Sequence, residues 1–213
     1  MNVTRRSTLL LVDDHPMMRR GLRQLIEVTD DLEVAGEAAG GEQALALVQA
    51  QQPDLVLLDQ QMPGLSGIET LMRLRRGGYT GKILIYTVSD ANEDVRAAML
   101  HGADGYLLKD MEPEDLLRQV RAALAGSVVI SERLAQQLDG QLRGDPLRAA
   151  GDLTTREIEV LRMLVAGNSN KMIGVHLGIT EGTVKVHVKN LFQKLGLRSR
   201  VEAVVWAMEK LRN

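Results

Sequence analysis

Between residues 8 and 124, short apolar runs alternate five times with amphipathic helical patterns, and no other feature of the chain limits its fold as strongly. Thr8–Asp13, Leu32–Ala38, Asp54–Asp59, Lys82–Thr87 and Asp104–Leu108 read as strands. Helical patterns lie between them near Met17–Val28, Gly41–Ala50, Gly67–Arg76 and Asn92–His101, and a fifth runs from Glu112 to Leu124. Five βα units of this size imply a parallel sheet with helices on both faces. Right-handed crossovers then leave a few doubly wound topologies, the flavodoxin-like order among them.

In such a sheet all strand C-termini lie on one edge, where ligands bind. Asp54-Leu55-Val56-Leu57-Leu58-Asp59 is buried on both faces by its apolar run and stopped by Pro63-Gly64, which puts the Asp59 carboxylate on that edge. Taken alone, Asp59 is more readily a turn residue than a site. Its neighbours change the balance: strand one ends in Asp13-Asp14, strand four in Thr87, and Lys109 follows strand five. Three converging carboxylates repel unless a cation sits among them. An oxygen-only donor set suits Mg²⁺. A carboxylate beside such an ion can act as a nucleophile toward a phosphoryl group, with Lys109 and Thr87 holding the transferred oxygens. His15 is expected to take a solvent-exposed role. Gly77-Gly78-Tyr79-Thr80-Gly81-Lys82 fails as a phosphate loop, because Arg76 and Ile83 stand where Gly and Ser/Thr are needed.

Charge is unevenly spread. Residues 1–125 carry 13 Lys+Arg against 19 Asp+Glu, a balance of −6, whereas residues 152–213 carry 10 against 6, a balance of +4. A basic tail makes nucleic acid a candidate partner. The only aromatics are Tyr79, Tyr86, Tyr106, Phe192 and Trp206, which favours a duplex reader over a single-strand binder that relies on stacking. There is no cysteine, hence no disulfide framework or thiolate metal site. No apolar run approaches the length of a membrane span. The Arg5-Arg6 pair precedes an apolar run that stops at Asp13, too short for an export signal. A cytoplasmic protein without membrane attachment is expected.

After residue 125 the alternation stops. Residues 126–151 read as a linker, with a short helix over Ser131–Leu142 and flexible Gly/Pro segments at Arg143–Pro146 and Ala149–Gly151. Residues 152–213 read as four short helices. Thr154-x-x-Glu157 is a capping box before Ile158, Leu161, Leu164 and Val165. Ser169 caps a second helix, Thr180 a third, and Ser199-x-x-Glu202 opens a fourth carrying Val201, Val204, Val205 and Met208. Helices two and three, joined through Gly178, form a helix-turn-helix. In the third, Val184, Val188, Leu191 and Leu195 form a buried stripe, while Lys185 and Lys189 occupy another face beside Val186 and Asn190. Lysine can donate to guanine or phosphate, and valine can meet a thymine methyl. Gly174, mid-helix, is expected to cost roughly 1 kcal/mol against alanine.

Leu11–Pro16, Asp54–Gly64, Thr87 and Gly102–Lys109 resemble the receiver domain of two-component response regulators, over about residues 7–125. Thr183-Val184-Lys185-Val186-His187-Val188-Lys189 and Ser199–Ala203 resemble the LuxR-type helix-turn-helix domain. Together they resemble the NarL/FixJ family, over nearly the whole chain. The resemblance implies a flavodoxin-like five-stranded α/β receiver (1–125), a linker (126–151) and an all-α four-helix DNA-binding domain (152–213). It implies that Asp59 accepts phosphate from a sensor histidine kinase, and that Asp14 and Asp59 hold Mg²⁺ directly. Asp13 would act through water and Gln61 through its backbone carbonyl. Thr87 and Lys109 would read the phosphoryl group, and Tyr106 would change rotamer on activation. Thr183, Lys185, Val186, Lys189 and Asn190 would meet double-stranded promoter DNA in a homodimer, with RNA polymerase a further contact. Gly102–Leu117 and Thr183–Lys189 look especially like the nitrate- and nitrite-responsive members. Gln60 and Gln61 depart from the usual apolar residue and Asn, so any control of phosphoryl lifetime is expected to be individual here.

Besides a member of the same family that responds to another stimulus, three other readings compete, two of them enzymes. A flavoprotein would need FMN phosphate beside Asp13-Asp14, which would repel it. A phosphohydrolase using Asp59 would favour an acid at position 61, where Gln stands. A phosphorelay module whose tail binds protein rather than DNA is the third.

Overall fold

The computed structural model describes residues 5–131, 153–197 and 200–210. The chain divides into two compact units, residues 1–126 and 127–213. The strands are β1 (Ser7–Val12), β2 (Leu32–Ala38), β3 (Leu55–Leu58), β4 (Lys82–Thr87), β5 (Gly105–Leu108) and β6 (Val129–Ile130). Between the first five lie α1 (Pro16–Glu27), α2 (Gly41–Gln51), α3 (Gly67–Arg76) and α4 (Asn92–Leu100), with α5 (Pro113–Leu124) after β5. The sheet order is β2-β1-β3-β4-β5-β6, and the pairs β1–β2, β1–β3, β3–β4 and β4–β5 are parallel.

This is the doubly wound flavodoxin-like order, with one strand more than the five expected. β6 has only two residues, too few to show any periodicity, although Val128, Val129 and Ile130 are all buried. The central strands are apolar on both faces because both faces are covered: Leu9–Leu11 and Leu55–Leu58 are essentially solvent-free. Asp54 stays outside β3; its carboxylate accepts from Thr8 N–H at 2.8 Å and Thr8 Oγ1–H at 2.9 Å, tying the starts of β1 and β3 together. Far from the strand C-termini, Arg75 on α3 donates to the carbonyls of Tyr79 and Gly81, both at 2.8 Å, and Gly102 at 3.0 Å, and pairs with Asp104 at 2.7 Å. This clamp fastens the end of α3 to the chain entering β4 and β5.

In the second unit the helices are α6 (Thr155–Val165), α7 (Asn170–Leu177), α8 (Glu181–Leu195) and α9 (Arg200–Lys210). The Thr154–Glu157 capping box forms as the sequence suggests, and Glu157 Oε2 also pairs with Lys194 of α8 at 2.8 Å. Gly178 (φ 64°) makes the left-handed turn between α7 and α8, which no side chain favours as well as glycine. Gly174 is less of a liability than its helix propensity suggests: a Cβ there would lie 2.7 Å from Ile179 O, so its bareness lets the turn close. Arg200 donates to Leu164 O at 3.2 Å and to Asn168 O, and burial pushes its guanidinium down to about 10. The helix expected over Ser131–Leu142 lies, from residue 132 on, outside the described residues, as does Ser199 of the expected second capping box. Among the described residues, no helix is long and apolar enough to cross a membrane.

Candidate functional site

Asp13, Asp59 and Lys109 each stand one residue beyond a strand, and each is held there because the sheet's hydrogen bonding continues one step further. Asp13 N–H donates to Ala38 O at 3.1 Å, Asp59 N–H to Val12 O at 2.8 Å, and Lys109 N–H to Thr87 O at 2.8 Å. The side chains then meet. Lys109 Nζ lies 2.7 Å from Asp13 Oδ2 and 2.8 Å from Asp59 Oδ2, and all three side chains are at least nine-tenths buried. Burial pushes the Asp59 carboxyl above its ordinary value, more than the Lys109 ammonium pulls it down. Burial also works against the Lys109 charge, but Asp13 and Asp59 outweigh it and hold the ammonium above its usual value.

Asp14 completes the acidic group. Its Oδ1 lies 2.8 Å from His15 Nδ1, and His15 N–H donates to Asp13 Oδ1 at 2.8 Å. The His15 side chain is exposed, yet one of its ring nitrogens belongs with one carboxylate oxygen each of Asp13, Asp14 and Asp59 in a set spanning no more than 4.8 Å. Asp13 Oδ2 and Asp14 Oδ1 are buried and, despite their ion-pair neighbours, lack a directed hydrogen bond. Buried carboxylate oxygens with unused lone pairs are what a hard divalent cation takes, so these residues fit Mg²⁺. Gln61 N–H donates to Asp59 Oδ1 at 3.3 Å, which puts the Gln61 backbone at the carboxylate while its side chain is exposed.

Thr87, fully buried at the end of β4, accepts from Ser89 N–H at 3.3 Å. Ser89 is a junction the sequence reading passed over: its carbonyl accepts from Tyr106 O–H at 3.0 Å and its hydroxyl bonds Asp94 at 2.6 Å. Thr87 and Tyr106 thus meet through one intermediate residue. Its only sequence signal is a hydroxyl two positions after the strand-end threonine. Tyr106 is completely buried, and burial raises its phenol well above the usual range.

In the second unit, Lys185, Val186, Lys189 and Asn190 are exposed along α8, with Thr183 at its start. Thr180 caps the helix, and the Thr183 hydroxyl lies 2.9 Å from the Thr180 hydroxyl, so it is already engaged. Lys185 pairs with Glu181 one turn back at 2.8 Å, an exposed contact that DNA phosphate could displace at little cost. Of the expected stripe, Val184 and Leu191 are fully buried, while Val188 and Leu195 are half-buried. With Phe192 and Leu197, Val188 lines an open groove beside Lys185 and Lys189.

Residues 9–121 match the response regulator receiver domain, and residues 152–207 match the bacterial regulatory proteins of the luxR family. The nitrate/nitrite response regulator protein NarL of Escherichia coli (strain K12) is 49% identical over 207 residues, 96% of each chain. NarP of the same strain, also a nitrate/nitrite response regulator protein, is 48% identical over 203 residues, 95% of this chain and 94% of its own. Among solved structures, ChrA, the response regulator of a heme-sensing two-component system, is 34% identical with a TM-score of 0.53, covering 97% of this chain and 98% of its own. These relatives are regulators rather than enzymes. A receiver fold with an acidic pocket, a luxR-type helical domain and end-to-end similarity to such regulators lead to one assignment: the chain belongs to the NarL/FixJ family of response regulators.

Proposed function

We propose that the protein is a phosphorylation-switched transcription regulator, with residues 1–125 as receiver, 126–151 as linker and 152–213 as reader of double-stranded promoter DNA. The observation that carries this reading is the buried Lys109 ammonium bridging Asp13 and Asp59 on the ligand edge of the sheet, beside Asp14. Asp59 is the phosphoacceptor: a carboxylate oxygen forms the new O–P bond as the N–P bond of a kinase phosphohistidine breaks. Asp14, Asp59 and the Gln61 carbonyl would hold Mg²⁺ directly, with Asp13 acting through water. When bound, Mg²⁺ neutralises phosphoryl charge. Lys109 keeps Asp59 ionised and oriented until the phosphoryl group arrives, then donates to its oxygens. Thr87 donates its hydroxyl to the same group, and the Ser89 junction carries that change toward Tyr106.

Thr183, Lys185, Val186, Lys189 and Asn190 form the DNA face of α8. Lysines donate to guanine or phosphate, and Val186 offers a methyl contact to thymine. Phosphorylation lets two tails pair through α9 on an inverted-repeat site, and RNA polymerase is the further partner. Similarity to the two nitrate/nitrite regulators supports nitrate or nitrite as the stimulus, sensed by a partner histidine kinase, with this chain in the cytoplasm. Acetyl phosphate or kinase labelling in Mg²⁺, with Asp59→Asn as control, tests the first half. Label on the wild type that is absent from the variant is expected, and label retained by Asp59→Asn removes Asp59 from its role. A salt-dependent gel shift with promoter DNA tests the second half; a tail that shifts no DNA would point to a protein-binding relay module.

A further inference from the structure

The first turn of α3 is served from outside by the residue that follows the phosphoacceptor. A helix start leaves its first N–H groups without intrahelical acceptors. Here Gly67 N–H donates to Gln60 O at 3.0 Å, and Ile68 N–H donates to the Gln60 side-chain Oε1 at 3.0 Å. Glu69 N–H is taken by Ser66 Oγ at 3.3 Å, within a capping box. Gln60 therefore supplies two of these three acceptors, one from its main chain and one from its side chain.

The contact is also tight. A Cβ on Gly67 would lie 2.3 Å from Asp59 O and 2.7 Å from Gln60 Cα, so the helix begins directly against the backbone of the phosphoacceptor. Residues 59–61 are thus fixed at three points: Asp59 N–H on Val12 O, Gln60 on the start of α3, and Gln61 N–H on Asp59 Oδ1. The middle one is the only one made by a side chain outside the acidic group. An apolar residue at position 60 would retain the main-chain acceptor and leave Ile68 N–H with none from this loop.

We propose that Gln60 is a positioning residue for the phosphoryl-transfer site. Its carboxamide locks the Asp59–Gln61 loop to the N-terminus of α3, and so sets the spacing between the Asp59 carboxylate and the Gln61 carbonyl that a divalent cation and an incoming phosphoryl group require. This rests on the reading of Asp59 and Gln61 given under Proposed function. Gln60 touches no reacting atom in that reading and acts through its two neighbours.

The test uses the full chain as wild type, Gln60→Leu, Gln60→Glu and Asp59→Asn. Three quantities are measured: hydrogen exchange of the Ile68 amide, Mg²⁺ affinity by calorimetry with magnesium chloride, and the initial rate of labelling by acetyl phosphate at sub-saturating Mg²⁺. Gln60→Leu is expected to speed Ile68 exchange about tenfold, the scale of one lost hydrogen bond. It is also expected to weaken Mg²⁺ binding and slow labelling about tenfold each, the lower end of the effect of disturbing what orients a metal ligand. Gln60→Glu keeps an acceptor of the same reach at the positive end of the helix, so Ile68 stays protected and Mg²⁺ binds as in wild type or tighter. Faster Ile68 exchange with unchanged Mg²⁺ affinity and labelling reduces Gln60 to a helix cap and overturns the proposal. Unchanged exchange in Gln60→Leu overturns it too, as does lost Mg²⁺ affinity in Gln60→Glu while Ile68 remains protected. If the wild type binds no Mg²⁺ and Asp59→Asn labels as well as wild type does, the Asp59 reading fails first. The Ile68 exchange comparison still reports separately on the Gln60 hydrogen bond.

Discussion

Replacing Lys109 with methionine removes the one cation that lies against both Asp13 and Asp59 among the described contacts, and leaves two carboxylates whose side chains are 2% and 3% exposed. Breaking a buried pair by deleting one partner costs about 3–5 kcal/mol. Protonation sets a ceiling on that penalty. Holding an aspartic acid protonated at pH 7, about three pH units above its ordinary value, costs about 4 kcal/mol, so the acid group takes up a proton rather than pay more. Lys109→Met is therefore expected to lose about 3–4 kcal/mol at pH 7 in EDTA. The sign of the pH dependence follows. The folded variant binds a proton that the unfolded chain does not, so its deficit shrinks by about 1.4 kcal/mol for each pH unit on going from 7 toward 5. Mg²⁺ supplies the missing positive charge, so millimolar magnesium should stabilise the variant more than the wild type. Denaturant unfolding separates this from the tail, because Tyr79, Tyr86 and Tyr106 lie in the first unit and Trp206 in the second. Equal stability of variant and wild type in EDTA at pH 7, or equal stabilisation of both by Mg²⁺, would refute the electrostatic account of the site.

Two further outcomes follow from contacts away from the acidic group. Arg75→Met removes the donor from three backbone carbonyls while Asp104 keeps Lys82 Nζ and Ile83 N–H, so a loss of about 3 kcal/mol, roughly 10 °C in the melting of the first unit, is expected. A melting point within 2 °C or so of wild type would mean water replaces the guanidinium without penalty. Lys185→Ala should leave tail stability unchanged, since its Glu181 partner is an exposed neighbour, but weaken promoter binding about tenfold and reduce the log–log salt slope by about one. Unchanged affinity across the salt series would take Lys185 off the DNA face.

Which parts of this were legible in the chain depends on how far apart the cooperating atoms are. The five apolar runs and their terminal polar residues were readable because strand burial is a local pattern and the parallel topology sends every strand end to one edge. Convergence of Asp13, Asp59 and Lys109 followed from that, but the bridging of both carboxylates by one ammonium needed the register of four strands. Local capping was equally open to reading: Ser66-x-x-Glu69 has the same form as Thr154-x-x-Glu157, yet only the latter was read. Other features had no local trace. The Arg75 carbonyl clamp reaches residues 27 and 29 positions away, and a surface-looking arginine at a helix end carries no sign of it. Val188 fits the apolar stripe by spacing but is only half-buried, because periodicity gives the side of a helix and not how much of it a small unit can cover. Gln60 and Gln61 show the limit most directly. By position both sit beside Asp59, where the sequence makes them candidates for tuning phosphoryl lifetime. In the fold, the Gln60 carboxamide turns to α3 and the Gln61 side chain to solvent, so Gln60's influence on the chemistry has to pass through the backbone it anchors. If Gln60 acts as proposed, the individuality of this receiver lies in how firmly its loop is held, a property that position along the chain does not report.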